Sequence, residues 1–212
     1  MQIILATTNL HKAIEIQALF NQEVKVLTLK DIGFKDEILE NGKTFEENAR
    51  LKVSVLANFI QQNQAFLKND EFALLADDSG LEVDMLKGAP GVISARYAGE
   101  PSNDSANNEK LLQALKGAPG PKRTAQFRCV LAALLVSRAV LENFHIQIFE
   151  GICRGKIGFK PKGRNGFGYD PLFFPDGYCK TFGELPPAEK NQISHRAKAM
   201  MKFKMWLMKL RG

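Results

Sequence analysis

The residues with chemistry in them fall into four short stretches, with Glu40 standing apart from them. LADDSGLEVD, at Leu75–Asp84, sets Asp77 and Asp78 side by side after an apolar run, Ala73–Ala76, that suits a buried strand. Adjacent acids there are costly unless something positive neutralises them. A hard divalent cation does so, because magnesium takes oxygen ligands and favours one or two carboxylates plus substrate phosphates. Leu81–Asp84 then alternates like a second, half-buried strand, and the alternative to a metal site, which this stretch alone leaves open, is an Asp-Ser-Gly turn with solvated acids. Glu40 precedes a glycine turn in ENGKTFEENA. Glu47 has a capping duty there, in a Thr-x-x-Glu box with Thr44, whereas Glu40 has none and is the better candidate to face a metal.

The second stretch is Thr7, Thr8, Asn9, Leu10, His11 and Lys12, which joins an apolar strand, Gln2–Ala6, to an amphipathic helix with Ile14, Ala18 and Leu19 on one face. Free backbone N–H groups and the helix dipole make such a turn an anion site, and Lys12 adds a point charge. The glycines and the Gly-Lys-Ser/Thr ending of a Walker A loop are missing. A plain helix start capped by Thr8 or Asn9 is the alternative. The third stretch, KIGFKPKGRNGFGYD at Lys156–Asp170, carries Lys156, Lys160, Lys162 and Arg164 among four glycines. Gly166 and Gly168 permit backbone conformations that other residues resist, and Phe167 and Tyr169 offer flat faces to a nucleobase. A solvated basic loop accounts for the lysines but poorly for these aromatic residues or for Asp170-Pro171-Leu172-Phe173-Phe174. The fourth stretch holds Lys190, then Ser194 as the N-cap of a last helix, then His195 and Arg196. Taken singly, His195 and Arg196 read as first-turn surface residues.

The elements that must position these stretches are legible in outline. Phe45, Ala49, Val53, Leu56 and Ile60 form the buried stripe of a long helix headed by Thr44. Asn103–Lys116 reads as a helix with Leu111, Leu112 and Leu115 inward, closed by Gly117 and Pro119. Glu23–Leu27 is a second strand, and Gln61–Glu71 a polar surface excursion. Arg123–Val136 and Phe144–Cys153 are long strands separated by a turn near Glu142-Asn143, forming the antiparallel centre of a sheet. Gly88–Gly99 is a shaped Gly/Pro loop with Arg96 near its end, and a helix rich in methionine and lysine ends at Trp206–Leu210.

Composition sets the bounds. A chain of 212 residues, 45% hydrophobic and 25% charged, is one large domain or two small lobes of an ordinary globular protein. Its net charge of +6 favours an anionic partner. Cys129, Cys153 and Cys179 form no Cys-x-x-Cys pair and read as reduced thiols of a cytoplasmic protein. Met1–Ala6 is too short for a signal peptide and lacks a basic leader. Nowhere do about 18 apolar residues run together, so no membrane span is expected.

In this combination and order, ILATTNLHKAIEI, ENGKTFEENA, LADDSGLEVDML with GAPGVISARYAGE, GFGYDPLFF and AEKNQISHRAKAM resemble the inosine triphosphate pyrophosphatase family. The resemblance runs from Ile3 to about Met200 and rests on several long motifs. It implies an α/β fold with an elongated central mixed sheet flanked by helices, and two lobes around a nucleotide-binding cleft. Residues 1–212 then form a single domain without a separate linker. It also implies a homodimer and magnesium-dependent (Mg2+) hydrolysis of ITP, dITP or XTP between the α and β phosphates. Carried over residue by residue, Thr7 to Lys12 match the triphosphate-contacting turn. Asp78 matches the proton acceptor and metal ligand, and Glu40 a metal-side carboxylate. Ser79, Phe167, Gly168, Tyr169, Asp170, Lys190, His195 and Arg196 match substrate-contacting positions. Many relatives have Thr-Gly-Asn where this chain has Thr7-Thr8-Asn9, and Asn58–Glu71 looks longer than in some of them.

The residues make chemical sense of that expectation. A carboxylate such as Asp78 can take the proton of a metal-activated water, and lysines near the Thr8–Lys12 helix start can stabilise phosphate charge. Arg196 has donors only, so it can read the O6 or N7 acceptors of hypoxanthine and leaves adenine's amino group unpaired. Three rivals remain. A basic nucleic-acid-binding module would explain the charge but not Asp77, Asp78 and Glu40, so no stable nucleic-acid partner is expected. A serine hydrolase on Ser79 lacks the Gly-x-Ser-x-Gly elbow. A pyrophosphatase for another modified nucleotide is the closest alternative.

Overall fold

A four-residue strand decides where the acids go. In this computed structural model, which describes residues 1–20, 24–63, 71–137 and 145–211, β1 (Gln2–Leu5) lies between β2 (Lys25–Thr28) and β3 (Glu71–Val83). It runs parallel to both, with Ile4 opposite Leu27 on one side and Leu74 on the other. Beyond β3 come β4 (Thr124–Ser137), β5 (Gln147–Ile157) and β6 (Phe173–Pro175), the last pair antiparallel. The sheet of six strands is therefore mixed and open, in the order β2-β1-β3-β4-β5-β6. Parallel strands covered on both faces need near-continuous apolar sequence. Ile3, Ile4 and Leu5 and the run Ala73–Ala76 supply it, all of them buried.

β3 corrects the expectation of a strand, a turn and a second strand. It is one strand of thirteen residues, passing straight through Asp77, Asp78, Ser79 and Gly80. The acids need no solvated turn because ammonium groups meet them inside the protein, as described below.

The chain divides into two compact units. The first comprises Met1–Asp78, Val130–Glu150 and Ala199–Gly212, the second Ser79–Cys129 and Gly151–Lys198. In the first, α2 (Phe45–Gln62) buries Phe45, Ala49, Val53, Leu56 and Ile60, as its spacing requires. Thr44 Oγ1 accepts from the N–H of Glu47 at 3.1 Å, while Glu47 reaches back one residue further than the capping box expects, to the N–H of Lys43. α1 (Leu10–Ala18) is capped by Asn9, whose Oδ1 accepts from Lys12 N. Its buried residue is Ile16, whereas Ile14 is exposed, so the apolar face expected at Ile14, Ala18 and Leu19 is misplaced. Ile16 lies four residues after Lys12, and Lys12 belongs to the inward face because an acid waits for it there.

In the second unit, α3 (Asp104–Ala114) packs Leu111, with Leu115 just beyond it, into a core of Leu81, Val83, Phe127, Phe173 and Phe182. α4 (Pro187–Ile193) starts with proline in its first turn and was not legible from sequence. Ser194 Oγ accepts from Ala197 N at 3.2 Å and caps α5 (His195–Arg211), as expected. The turn near Glu142-Asn143 and most of the Gln61–Glu71 excursion lie outside the described residues.

Candidate active site

The first unit gathers three acids and two lysines. Lys12, on the first turn of α1, donates from Nζ to Asp77 Oδ1 at 2.7 Å and to the Asp77 carbonyl at 3.3 Å. Lys52, in the middle of α2, donates to that same carbonyl at 3.3 Å and to Asp78 Oδ1 at 2.9 Å. Its ammonium also lies 2.9 Å from Glu40 Oε1. Two helices thus bring two cations to one peptide carbonyl of β3. Asn48, one helical turn before Lys52 and fully buried, ties the group together. Its Nδ2 donates to Asp78 Oδ2 at 3.2 Å, and its Oδ1 accepts from Gly42 N at 2.8 Å, which anchors the turn that follows Glu40. Gly42 has to be glycine, since a Cβ there would come within 2.6 Å of Asn48 Oδ1.

Burial governs the electrostatics. It pushes the Asp78 carboxyl above the ordinary carboxylate range, and Lys52 and Lys12 oppose this without cancelling it. Burial also disfavours the Lys52 charge, but Asp78 and Glu40 outweigh it and hold that ammonium protonated. The result is a carboxylate that remains basic beside a firmly cationic lysine. Such an arrangement can hold phosphate oxygens on the lysines and accept a proton on the acid.

The group contains the carboxylate oxygens that a hard divalent cation takes as ligands. Three carboxylates against two ammonium groups leave one negative charge in excess, and Glu40 and Asp78 converge on a single point, the Lys52 ammonium. Among the described residues no three His, Cys, Asp or Glu side chains gather as a complete metal cage. Two carboxylates completed by phosphate and water are the habit of magnesium rather than of zinc.

The second unit gathers an aromatic and basic group. Ser79, the residue after Asp78 on β3, accepts from Arg196 Nη2 at 3.4 Å. Arg196 is only 1% exposed, and its guanidinium lies over the Phe167 ring at 5.8 Å, with Lys190 Nζ over the same ring at 5.1 Å. Asp170 pairs with Lys190 at 2.5 Å and accepts from Phe167 N at 2.8 Å, so one carboxylate fixes both the cation and the loop. Tyr169 is buried and donates its hydroxyl to the Ser94 carbonyl at 2.8 Å. His195 stacks on Phe127 with centroids 4.8 Å apart. His195 and Arg196 are thus buried, whereas single-residue expectations put them on the surface.

Of the residues expected from sequence, Glu40, Asp78 and Lys12 come together in the first group, with Thr7 and Asn9 shaping the turn: Thr7 Oγ1 accepts from Asn9 N at 3.1 Å. Thr8, Leu10 and His11 are exposed beside them in sequence. Ser79, Phe167, Asp170, Lys190 and Arg196 come together in the second, with Gly168 and Tyr169 in the same loop. Lys156, Lys160, Lys162 and Arg164 stand exposed. Sequence reasoning missed Lys52 and Asn48. Their signal was a polar pair spaced four apart along the edge of the α2 apolar stripe.

Fold and groups together define an α/β protein with an open mixed sheet and an acid-and-lysine centre on its third strand. A sequence model of the Ham1 family matches residues 3–206, and the chain belongs to that family. It is 45% identical over 204 residues to a dITP/XTP pyrophosphatase of Shouchella clausii, covering 96% of this chain and 94% of that protein. A dITP/XTP pyrophosphatase of Clostridium perfringens is likewise 45% identical over 204 residues, covering 96% and 95%. Among solved structures, the Ham1 protein of Staphylococcus aureus is similar with a TM-score of 0.79 at 36% identity, covering 98% of both chains. A HAM1 protein from Coxiella burnetii gives 0.80 at 37% identity, covering 99% of both.

Proposed function

We propose that this chain hydrolyses non-standard purine nucleoside triphosphates (ITP, dITP and XTP) between the α and β phosphates, releasing the monophosphate and pyrophosphate. The observation that carries the reading is the buried Lys52 ammonium shared by Glu40 and Asp78. The names of the relatives support the substrate class.

In this reading Lys12, Lys52 and the turn from Thr7 to Lys12 take the triphosphate. The Lys12 and Lys52 ammonium groups are held by Asp77, Asp78 and Glu40 before the substrate arrives, so charge developing on the phosphates meets cations already in place. Asp78 holds the attacking water by hydrogen bond and accepts its proton. Glu40 and Asp78 would hold magnesium beside the phosphates, where it would supply neutralisation of phosphate charge. Asn48 keeps Asp78 aimed through the bond to Oδ2. The purine falls to the second group. Phe167 offers its ring for stacking, Arg196 donates to O6 or N7, and Ser79, Gly168, Tyr169, Asp170, Lys190 and His195 shape that surface. We read residues 1–212 as one catalytic domain, acting as a homodimer in the cytoplasm, both on the family likeness. Among the described residues no helix is long and apolar enough to cross a membrane.

Asp78→Asn tests the reading. The substitution keeps the size of the side chain while removing the charge that accepts the proton, and turnover of ITP is expected to fall by at least about 1,000-fold. A variant with near-normal kcat would remove Asp78 as the base.

A further inference from the structure

We propose that Asp104 and Asn108 on α3 are positioning residues for purine recognition: they clamp the Gly168 peptide from both sides and so fix the Phe167 ring. The inference rests on the reading of the Phe167 loop as the purine site. Asp104 Oδ2 accepts from Gly168 N at 2.6 Å, and Asn108 Nδ2 donates to Gly168 O at 2.9 Å. The two side chains are four residues apart on α3 and so lie on one face of it. Between them they meet both polar backbone groups of a single loop residue.

The loop needs that help. Gly166 and Gly168 have φ of +74° and +61°, and a Cβ at Gly168 would meet nothing within 4 Å. Two glycines in a row of three residues have many conformations open to them, and packing at Gly168 selects none. Asp170 fixes one end through Phe167 N, and Tyr169 anchors the other through Ser94. The peptide groups of Gly168 are left to α3.

Asn108 carries a second sign of this task. It is 8% exposed, and its Oδ1 has no hydrogen-bond partner among the described residues. A buried amide with one end unmet works against folding. Its neighbour Asn107, by contrast, uses both ends, accepting from Ala98 N at 2.7 Å and donating to the Ala95 carbonyl at 2.9 Å. Asn107 serves the fold, while Asn108 commits its buried amide to the one bond to Gly168.

The test compares Asn108→Ala, Asp104→Ala and Asp104→Asn with the unaltered full chain, reading ITP kinetics, thermal unfolding and amide hydrogen exchange. Alanine favours a helix interior over asparagine and removes the unmet oxygen, so Asn108→Ala is expected to melt no lower than the unaltered chain. Its KM for ITP is expected to rise about tenfold while kcat falls by less than about threefold, with faster exchange at Phe167–Tyr169. Asp104→Asn keeps an acceptor oxygen and is expected to recover most of the KM lost in Asp104→Ala. Unchanged KM in both alanine variants, or a fall in melting temperature that accounts for the whole loss, would overturn the positioning role. An unaltered chain that cleaves no ITP would defeat the functional reading instead. The clamp would then stand on accelerated loop exchange in the alanine variants and fall on unchanged exchange.

Discussion

Lys52 and Asp78 meet at 2.9 Å with each side chain only 6% exposed, and the same ammonium lies 2.9 Å from Glu40. A lysine from the buried face of α2 therefore brings its positive charge to Asp78, as Lys12 from α1 does to Asp77, and β3 runs through both acids without a turn.

Lys52→Ala removes that charge and leaves Asp78 buried with its main counter-ion gone. Breaking a buried pair in this way costs about 3–5 kcal/mol, which for a chain of this size lowers the melting temperature by roughly 10 °C. Calorimetry in metal-free buffer checks it. A loss below about 1 kcal/mol would mean the pair behaves like an exposed surface bridge.

How much of this was legible from sequence depended on where each partner lies. The α2 stripe was readable because Phe45, Ala49, Val53, Leu56 and Ile60 repeat at helical spacing within one element. The course of β3 was not, because Asp77-Asp78-Ser79-Gly80 has poor strand propensity and good turn chemistry. Only Lys12 and Lys52, 65 and 25 residues away from Asp77, make the extended course stable. Lys52 itself was hidden because a lysine in a helix ordinarily reads as part of a solvated face. The inward face of α1 was misread for the same reason, since Lys12 turns inward toward Asp77. In the second group the GFGYD loop stood out through aromatic residues that a plain basic loop leaves unexplained, whereas His195 and Arg196 taken singly read as surface residues of a first helical turn. Their burial became visible only when the fold brought Phe127 under His195 and Ser79 to Arg196.

The cysteines give a test of packing that needs no substrate. Cys129 and Cys153 are buried and Cys179 is exposed. Mass spectrometry after brief alkylation near neutral pH is expected to find Cys179 modified and the other two intact. Burial pushes the Cys153 thiol up from 9.0 to about 11. The folded chain then holds a proton that the unfolded chain releases above 9.0, so the stability from this group is complete below that pH and lost as pH rises to about 11. Unfolding followed across that range is expected to show a steeper decline for the unaltered chain than for Cys153→Ala.

Arg196→Ala separates base recognition from phosphate chemistry. The guanidinium lies over Phe167 and donates to Ser79. Its loss is expected to lower kcat/KM for ITP about ten- to a hundredfold, the worth of a buried charged hydrogen bond, with a smaller loss for ATP. Equal losses with the two nucleotides would show that Arg196 does not read the base.

The most direct measurement is the identity of the products. The purified chain is incubated with ITP and magnesium, beside ATP and GTP, and every phosphate product is resolved. IMP and pyrophosphate are expected from ITP, with little turnover of ATP or GTP. IDP and orthophosphate would move the attack to the terminal phosphate and contradict the proposed roles of Asp78, Lys52 and Lys12.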